Sequence, residues 1–146
     1  MSADEGRVWR VALLGNPNTG KTTLFNQLTG LRHKTSNFAG TTLEAREGLC
    51  GRGAHPIEVV DLPGLYSLEL DYLEAEVCRQ VLAGRVAPRG QPVAEPDGVL
   101  VVMDATNLSR NLPLTGEVLR RRLPTVIALN MTDLAADRGI LIEPER

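Results

Sequence analysis

Residues Gly15–Thr23, "GNPNTGKTT", lie between an apolar run, "VALL", and the segment "LFNQLTG". Gly15, Gly20, Lys21 and Thr22 fit the G-x-x-x-x-G-K-[ST] spacing of a phosphate loop, a pattern that carries weight only where a strand precedes it and a helix follows. "VWRVALLG" is β-branched and apolar and stops at Gly15, which predicts a buried strand. "KTTLFNQLTG" spaces Leu24, Phe25 and Leu28 as one helix face, with Gly30 as terminator. Both conditions are met. The glycines let successive backbone N–H groups converge on phosphate oxygens, the helix N-terminus adds partial positive charge, and Lys21 brings a full charge. Thr22 is expected to hold Mg²⁺, and Asn16, Pro17, Asn18, Thr19 and Thr23 complete the loop. An ordinary glycine turn would leave the lysine and the threonines without a role.

Outward from this loop the chain alternates. "LEAREGLC" and "IEVVDLPG" read as strands, "LEAEVCRQVLAG" as a helix, "DGVLVVMDA" as a strand, "NLPLTGEVLRRRL" as a helix and "PTVIALNMTD" as a last strand. "HKTSNFAGTT" reads as polar and irregular, and "RVAPRGQPVAEP" as a Pro/Gly-broken surface loop. The order predicts an α/β fold, a mostly parallel sheet with helices on both faces and one antiparallel strand pair, and with the phosphate loop it resembles a three-layer P-loop NTPase of the Ras-like G-domain kind. One domain is expected to span residues 1–146.

Composition narrows the function. With 42% hydrophobic and 23% charged residues the chain is an ordinary globular one, and its net charge of −2 argues against a general nucleic-acid surface. The basic run Arg120–Arg122 reads as a solvated helix face. No apolar run is long enough to cross a bilayer, and "MSADEGR" lacks the regions of a signal peptide, so the fragment is expected to be soluble. Cys50 and Cys78 lie far apart without metal-type spacing and read as incidental apolar residues, and His33 and His55 as surface loop histidines.

Two further motifs bear on the phosphate site. "DLPG", residues Asp61, Leu62, Pro63 and Gly64, ends a strand, where a carboxylate can reach Mg²⁺ through water and a glycine N–H can approach a γ-phosphate. In "FAGTTLE", Gly40, Thr41 and Thr42 form a candidate first switch segment; Thr42 carries the hydroxyl expected over Mg²⁺ and γ-phosphate, with Thr41 as competitor. "NMTD", residues Asn130, Met131, Thr132 and Asp133, resembles the N-K-x-D guanine signature. Asp133 can accept from both N1–H and the 2-amino group of guanine, donors that adenine lacks. Met131 replaces the usual lysine with an uncharged thioether that can still cover the base edge.

Taken together, "GNPNTGKTTLFNQLTG", "NFAGTTLEAREG", "DLPGLYSL", "DATNLSRNL" and "ALNMTD" resemble the N-terminal G domain of the FeoB family of bacterial ferrous iron transport GTPases, over nearly the whole chain. The resemblance implies GTP/GDP as ligand, Mg²⁺, and GTP hydrolysis with Asn18, Lys21, Thr42 and Gly64 as the working residues. It further implies a parent protein with a helical regulatory domain and a polytopic membrane domain at the cytoplasmic face of the inner membrane, with small accessory proteins as possible partners. In related GTPases an asparagine at the position of Asn18 helps bind K⁺, which can stand in for an arginine finger; the competing reading is a residue that suits a turn. Leu65 offers no hydrogen bond to a hydrolytic water, so intrinsic hydrolysis is expected to be slow. "LIEPER" resembles a G domain cut before its last strand, helix and final guanine-contacting loop. Alternatives are an assembly GTPase of ribosome or tRNA, and a nucleotide-sensing module with negligible turnover.

Overall fold

A computed structural model describes residues 7–51 and 55–143. The readings of the first six residues and of the end of "LIEPER" lie outside the described residues. The elements are β1 (Trp9–Gly15), α1 (Lys21–Thr29), β2 (His33–Asn37), β3 (Glu44–Cys50), β4 (Ile57–Asp61), α2 (Leu73–Leu82), β5 (Gly98–Asp104), α3 (Leu108–Leu119), β6 (Thr125–Asn130) and α4 (Thr132–Asp137).

Six strands form one sheet in the order β2-β3-β4-β1-β5-β6. β1 pairs in parallel with β4 on one side and β5 on the other, and β6 continues the parallel set. The expected antiparallel pair is β3 with β4; β3 also runs antiparallel to β2. Because β4 lies on one side of β1 and the next strand, β5, on the other, a crevice opens at the carboxyl end of β1, where such sheets bind ligands.

Alternation along β1 sends side chains to both faces. Ala12 and Leu14 join Val60, Val101 and Met103 beneath Val77 and Val81 of α2 and Leu114 and Val118 of α3. Leu13 joins Val59 and Val102 against Phe25 of α1 on the other face. Burying each such aliphatic side chain stabilises the fold by about 1.5–3 kcal/mol. With both faces covered, the ends of β1 and β4 are held firmly enough to present loops.

The segment expected to be irregular contains β2. Its residues His33, Lys34, Thr35 and Asn37 are all exposed at the sheet edge, so no apolar alternation marked the strand. His33 is therefore a strand residue, its ring edge-on to Phe25 at 5.3 Å between centroids. Arg120–Arg122 lie just past the end of α3, with Arg120 and Arg122 exposed.

Candidate functional site

The loop after β1 and the first turn of α1 wall a cavity of about 550 Å³ lined by Asn16, Pro17, Asn18, Gly20, Lys21, Thr22, Thr23 and Gly64. Helix α1 begins at Lys21 with no side-chain cap and no acidic residue in its first turn. Its leading N–H groups and positive dipole end are thus left for an anion. Gly20 has φ of +83°, and a Cβ there would lie 2.3 Å from the side-chain nitrogen of Asn130, so only glycine fits.

Lys21 is not the solvent-facing residue that its place in the motif suggests. Its ammonium donates to a carboxylate oxygen of Asp61 and, at 2.7 Å, to the carbonyl of Leu62. Only 11% of the lysine side chain and 10% of the aspartate side chain are exposed, so each charge depends on the other. The "DLPG" segment is fastened to β1 by Leu62 N–H to Leu13 O at 3.0 Å and Leu65 N–H to Gly15 O at 3.1 Å. Leu65 itself is fully buried.

Asn130 leaves β6 and donates its side-chain amide to the carbonyl of Thr19 at 2.8 Å, tying "NMTD" to the phosphate loop. Met131 follows in a left-handed conformation, φ 60°, and Thr132 and Asp133 open α4 as exposed residues. Within "FAGTTL" the two threonines separate. Thr41 donates its hydroxyl to Phe38 O at 2.9 Å and accepts from Leu43 N–H at 3.1 Å, whereas Thr42 is exposed and its hydroxyl makes no hydrogen bond among the described residues. Thr42, Asp133 and Asp61 do not line the main cavity; Asp61 reaches it through Lys21. Asn18 is exposed at the loop's tip with φ of 63°.

Behind the loop is a smaller cavity of about 110 Å³, lined by Asn16 to Thr19 on one side and by Tyr66, Asp104, Asn107, Arg110 and Asn111 on the other. Asn16 is buried; its amide donates to Arg110 O at 2.9 Å, and its side-chain oxygen has no partner among the described residues. Arg110 also stacks on Tyr66, 4.4 Å from the ring centre, and donates to its hydroxyl at 2.7 Å. One turn on from Leu114, Glu117 accepts from the Ser67 hydroxyl and the Leu68 N–H, both at 2.6 Å. Helix α3 therefore holds the three residues after Leu65. No sequence motif singles out Arg110 or Glu117, although "DATNLSRNL" contains the arginine.

Cys78 lies beneath Pro63, its thiol 3.8 Å from that carbonyl, and burial pushes its pKa up to about 12. Such a thiol is inert packing. Among the described residues no group of three or more His, Cys, Asp or Glu could hold a metal, and no helix is long and apolar enough to cross a membrane. Thr22 on the cavity wall and Asp61, held next to it by Lys21, offer a hydroxyl and a carboxylate oxygen, which suit a hard cation such as Mg²⁺ held jointly with phosphate.

Comparison with known proteins agrees with this geometry. The family model described as ferrous iron transport protein B matches residues 9–146. The Fe(2+) transporter FeoB of Shigella flexneri is 43% identical over 138 residues, covering 91% of this chain and 17% of that protein. The FeoB G-domain from Methanococcus jannaschii superposes with a TM-score of 0.76 at 34% identity, covering 95% of this chain and 78% of that one. An S. thermophilus NFeoB mutant bound to GDP superposes with a TM-score of 0.81 at 39% identity, covering 94% of this chain and 50% of that one. The chain thus spans about one sixth of the length of the curated transporter it matches.

Proposed function

The chain belongs to the ferrous iron transport protein B family, and from that premise we propose that it is a GTP-binding, slowly GTP-hydrolysing switch domain spanning residues 1–146. The observation that carries the reading is the Lys21–Asp61 pair beside the uncapped start of α1. Both charges are nearly buried, so each can change partner only if both gain a new counter-charge at once. A Mg²⁺-bound nucleoside triphosphate meets that demand, with phosphate for the lysine and a dication for the aspartate. Thr22, Thr42 and, through water, Asp61 would hold the Mg²⁺, which supplies neutralisation of charge developing on the phosphates.

The chain's own groups then divide the work. The loop amides and Lys21 bind and orient the phosphates; Gly64 N–H and the Thr42 hydroxyl address the terminal one; Asp133 reads the guanine edge. Leu65 supplies no hydrogen bond to water, which supports slow hydrolysis, and the exposed Asn18 side chain would offer an oxygen to a K⁺ that adds the missing positive charge. In the parent protein, a helical regulatory domain and a membrane domain for Fe²⁺ would sense the state of the segments around Thr42 and Asp61–Tyr66. Family membership disfavours the ribosome or tRNA assembly reading.

The burial of Leu65 favours one second reading, a nucleotide-sensing module with negligible turnover. Multiple-turnover phosphate release in K⁺ buffer separates the two: sustained release supports the enzyme, a single turnover or none the sensor. The base assignment is tested by Asp133→Asn. GTP affinity is expected to fall and xanthine nucleotide to be gained, because an amide can donate to the 2-carbonyl where a carboxylate only accepts. Unchanged GTP affinity would remove Asp133 from the base site.

A further inference from the structure

The loop between α2 and β5 is the Pro/Gly-rich stretch that reads as plain surface, yet it is fastened along its length. Ala39 N–H donates to Ala87 O at 3.0 Å and Arg89 N–H donates to Asn37 O at 2.9 Å, flanking an antiparallel bridge between Phe38 and Pro88. Pro88 occupies the position of that bridge where no donor is needed, so its missing N–H costs nothing. Gly90, φ +88°, and the Gln91 N–H to Pro88 O bond at 3.0 Å close a turn beyond it. Further along, Gln91 donates its side-chain amide to Glu47 at 3.3 Å, and Arg10 donates to Pro92 O at 2.7 Å. Ala87 is buried, and Phe38 is fully buried in the main core with Val86 packed against that core.

What this loop grips is the base of the turn that carries Thr42. Phe38 N–H donates to Leu43 O at 3.0 Å, and Thr41 N–H and hydroxyl both donate to Phe38 O. Residues 39–42 thus hang from Phe38, and Phe38 is held from one side by the sheet and from the other by residues 86–89. We propose that residues 86–91 are a strap that restrains the base of the Phe38–Leu43 turn, so that Thr42 has only to swing from a fixed base to reach the terminal phosphate and the strap favours GTP over GDP. The last clause rests on the reading of Thr42 as a γ-phosphate ligand; the restraint itself does not. Thr42 is the ligand residue and the strap is a positioning element. Holding the turn at its base removes ordering that GTP would otherwise have to impose, whereas GDP, lacking the γ-phosphate, gains nothing from it.

Arg89→Pro tests this narrowly. Arg89 stands at the second position of the Pro88–Gln91 turn, which proline favours, so the turn survives while the donor to Asn37 O is lost. Replacing residues 86–89 by Gly-Ser-Gly-Ser is the stronger variant. Two measurements are made on the full chain: hydrogen exchange at the Ala39 amide, and affinities for Mg²⁺-bound GTP (as a non-hydrolysable analogue) and GDP. The proposal expects Ala39 exchange to speed up about tenfold in Arg89→Pro and further in the replacement, while helix α1 amides keep their protection. It also expects analogue affinity to fall severalfold with GDP affinity unchanged, a split that general destabilisation does not produce. Unchanged Ala39 exchange in both variants overturns the restraint. Faster exchange with an unchanged GTP to GDP ratio overturns the positioning role. If the wild type binds no guanine nucleotide, the functional reading and the positioning role fail together, while the exchange measurement still decides the restraint.

Discussion

Asn130 and Thr19 stand 111 positions apart in sequence and are joined by a 2.8 Å hydrogen bond from side-chain amide to backbone carbonyl. The bond fixes the end of β6 to the phosphate loop, so the guanine-type motif and the phosphate motif are set at one distance before any ligand enters. Thr19 is buried, and its carbonyl has no easy access to water if the amide is removed. Asn130→Ala is therefore expected to destabilise the fold by about 1–3 kcal/mol, the cost of an unsatisfied buried acceptor. Nucleotide affinity should fall with it. Asn130→Asp, which cannot donate when ionised, should do the same; a thermal midpoint and nucleotide titration equal to wild type in both variants would break the link.

Lys21 supports a sharper expectation than a lost phosphate ligand. Lys21→Ala strands the Asp61 carboxylate with only 10% of its side chain exposed, so stability should fall as well as binding. The loss is about 2 kcal/mol, below the ~3–5 of a fully buried broken pair because part of each group still meets water. Adding Asp61→Asn to Lys21→Met should restore the denaturant midpoint without restoring nucleotide binding. A single Lys21→Ala variant as stable as wild type would show that the pair contributes nothing to folding.

Much of this was legible because the apolar runs of β1, β4 and β5 are short, buried and stop at glycine or aspartate, and because the phosphate-loop spacing ties residue type to backbone geometry. β2 escaped because an edge strand exposed on both faces has no apolar period to read. The partner of Lys21 escaped because the motif names a lysine for an anionic ligand and is silent about what neutralises it otherwise. The strap and the α3 contacts to Tyr66 and Ser67 escaped for a common reason. They are long-range bonds made by backbone groups of a proline-rich loop and by Arg110 and Glu117, two charged residues indistinguishable in sequence from a solvated helix face.

Acid stability offers a test away from the nucleotide. Burial first, and then the neighbouring Glu47 carboxyl on β3, raise the Glu58 carboxyl above its ordinary value near 4.5; Arg10 on β1 and Lys34 on β2 pull it the other way. A carboxyl whose pKa is raised on folding binds its proton more tightly in the native state. Its contribution is complete below the unfolded value and is lost as pH rises through the folded one. Glu58→Gln should therefore gain stability relative to wild type as pH is taken from about 4 toward 7. Parallel melting curves across that range would mean that Glu58 titrates normally.

Asn18 poses the hardest choice, because one observation fits both of its readings. Its φ of 63° is a conformation that asparagine tolerates better than most residues, so a turn role alone accounts for it; its exposed side chain at the tip of the loop is equally placed to offer an oxygen to K⁺. Alanine is a poor probe, since it adds about 1–2 kcal/mol of backbone strain there. Glycine is a better one: Asn18→Gly keeps or eases the turn while it removes the side-chain amide and with it the oxygen. With K⁺ and Na⁺ compared at equal ionic strength, so that general screening cancels, wild-type hydrolysis in the parent protein is expected to run faster in K⁺. Asn18→Gly should lose that advantage while nucleotide affinity holds, because the loop amides and Lys21 remain. An arginine finger is worth about 10³–10⁵ in rate, and a cation bound in its place should reach no higher. Equal wild-type rates in the two salts, or a K⁺ advantage that survives in Asn18→Gly, would return Asn18 to the role of a turn residue.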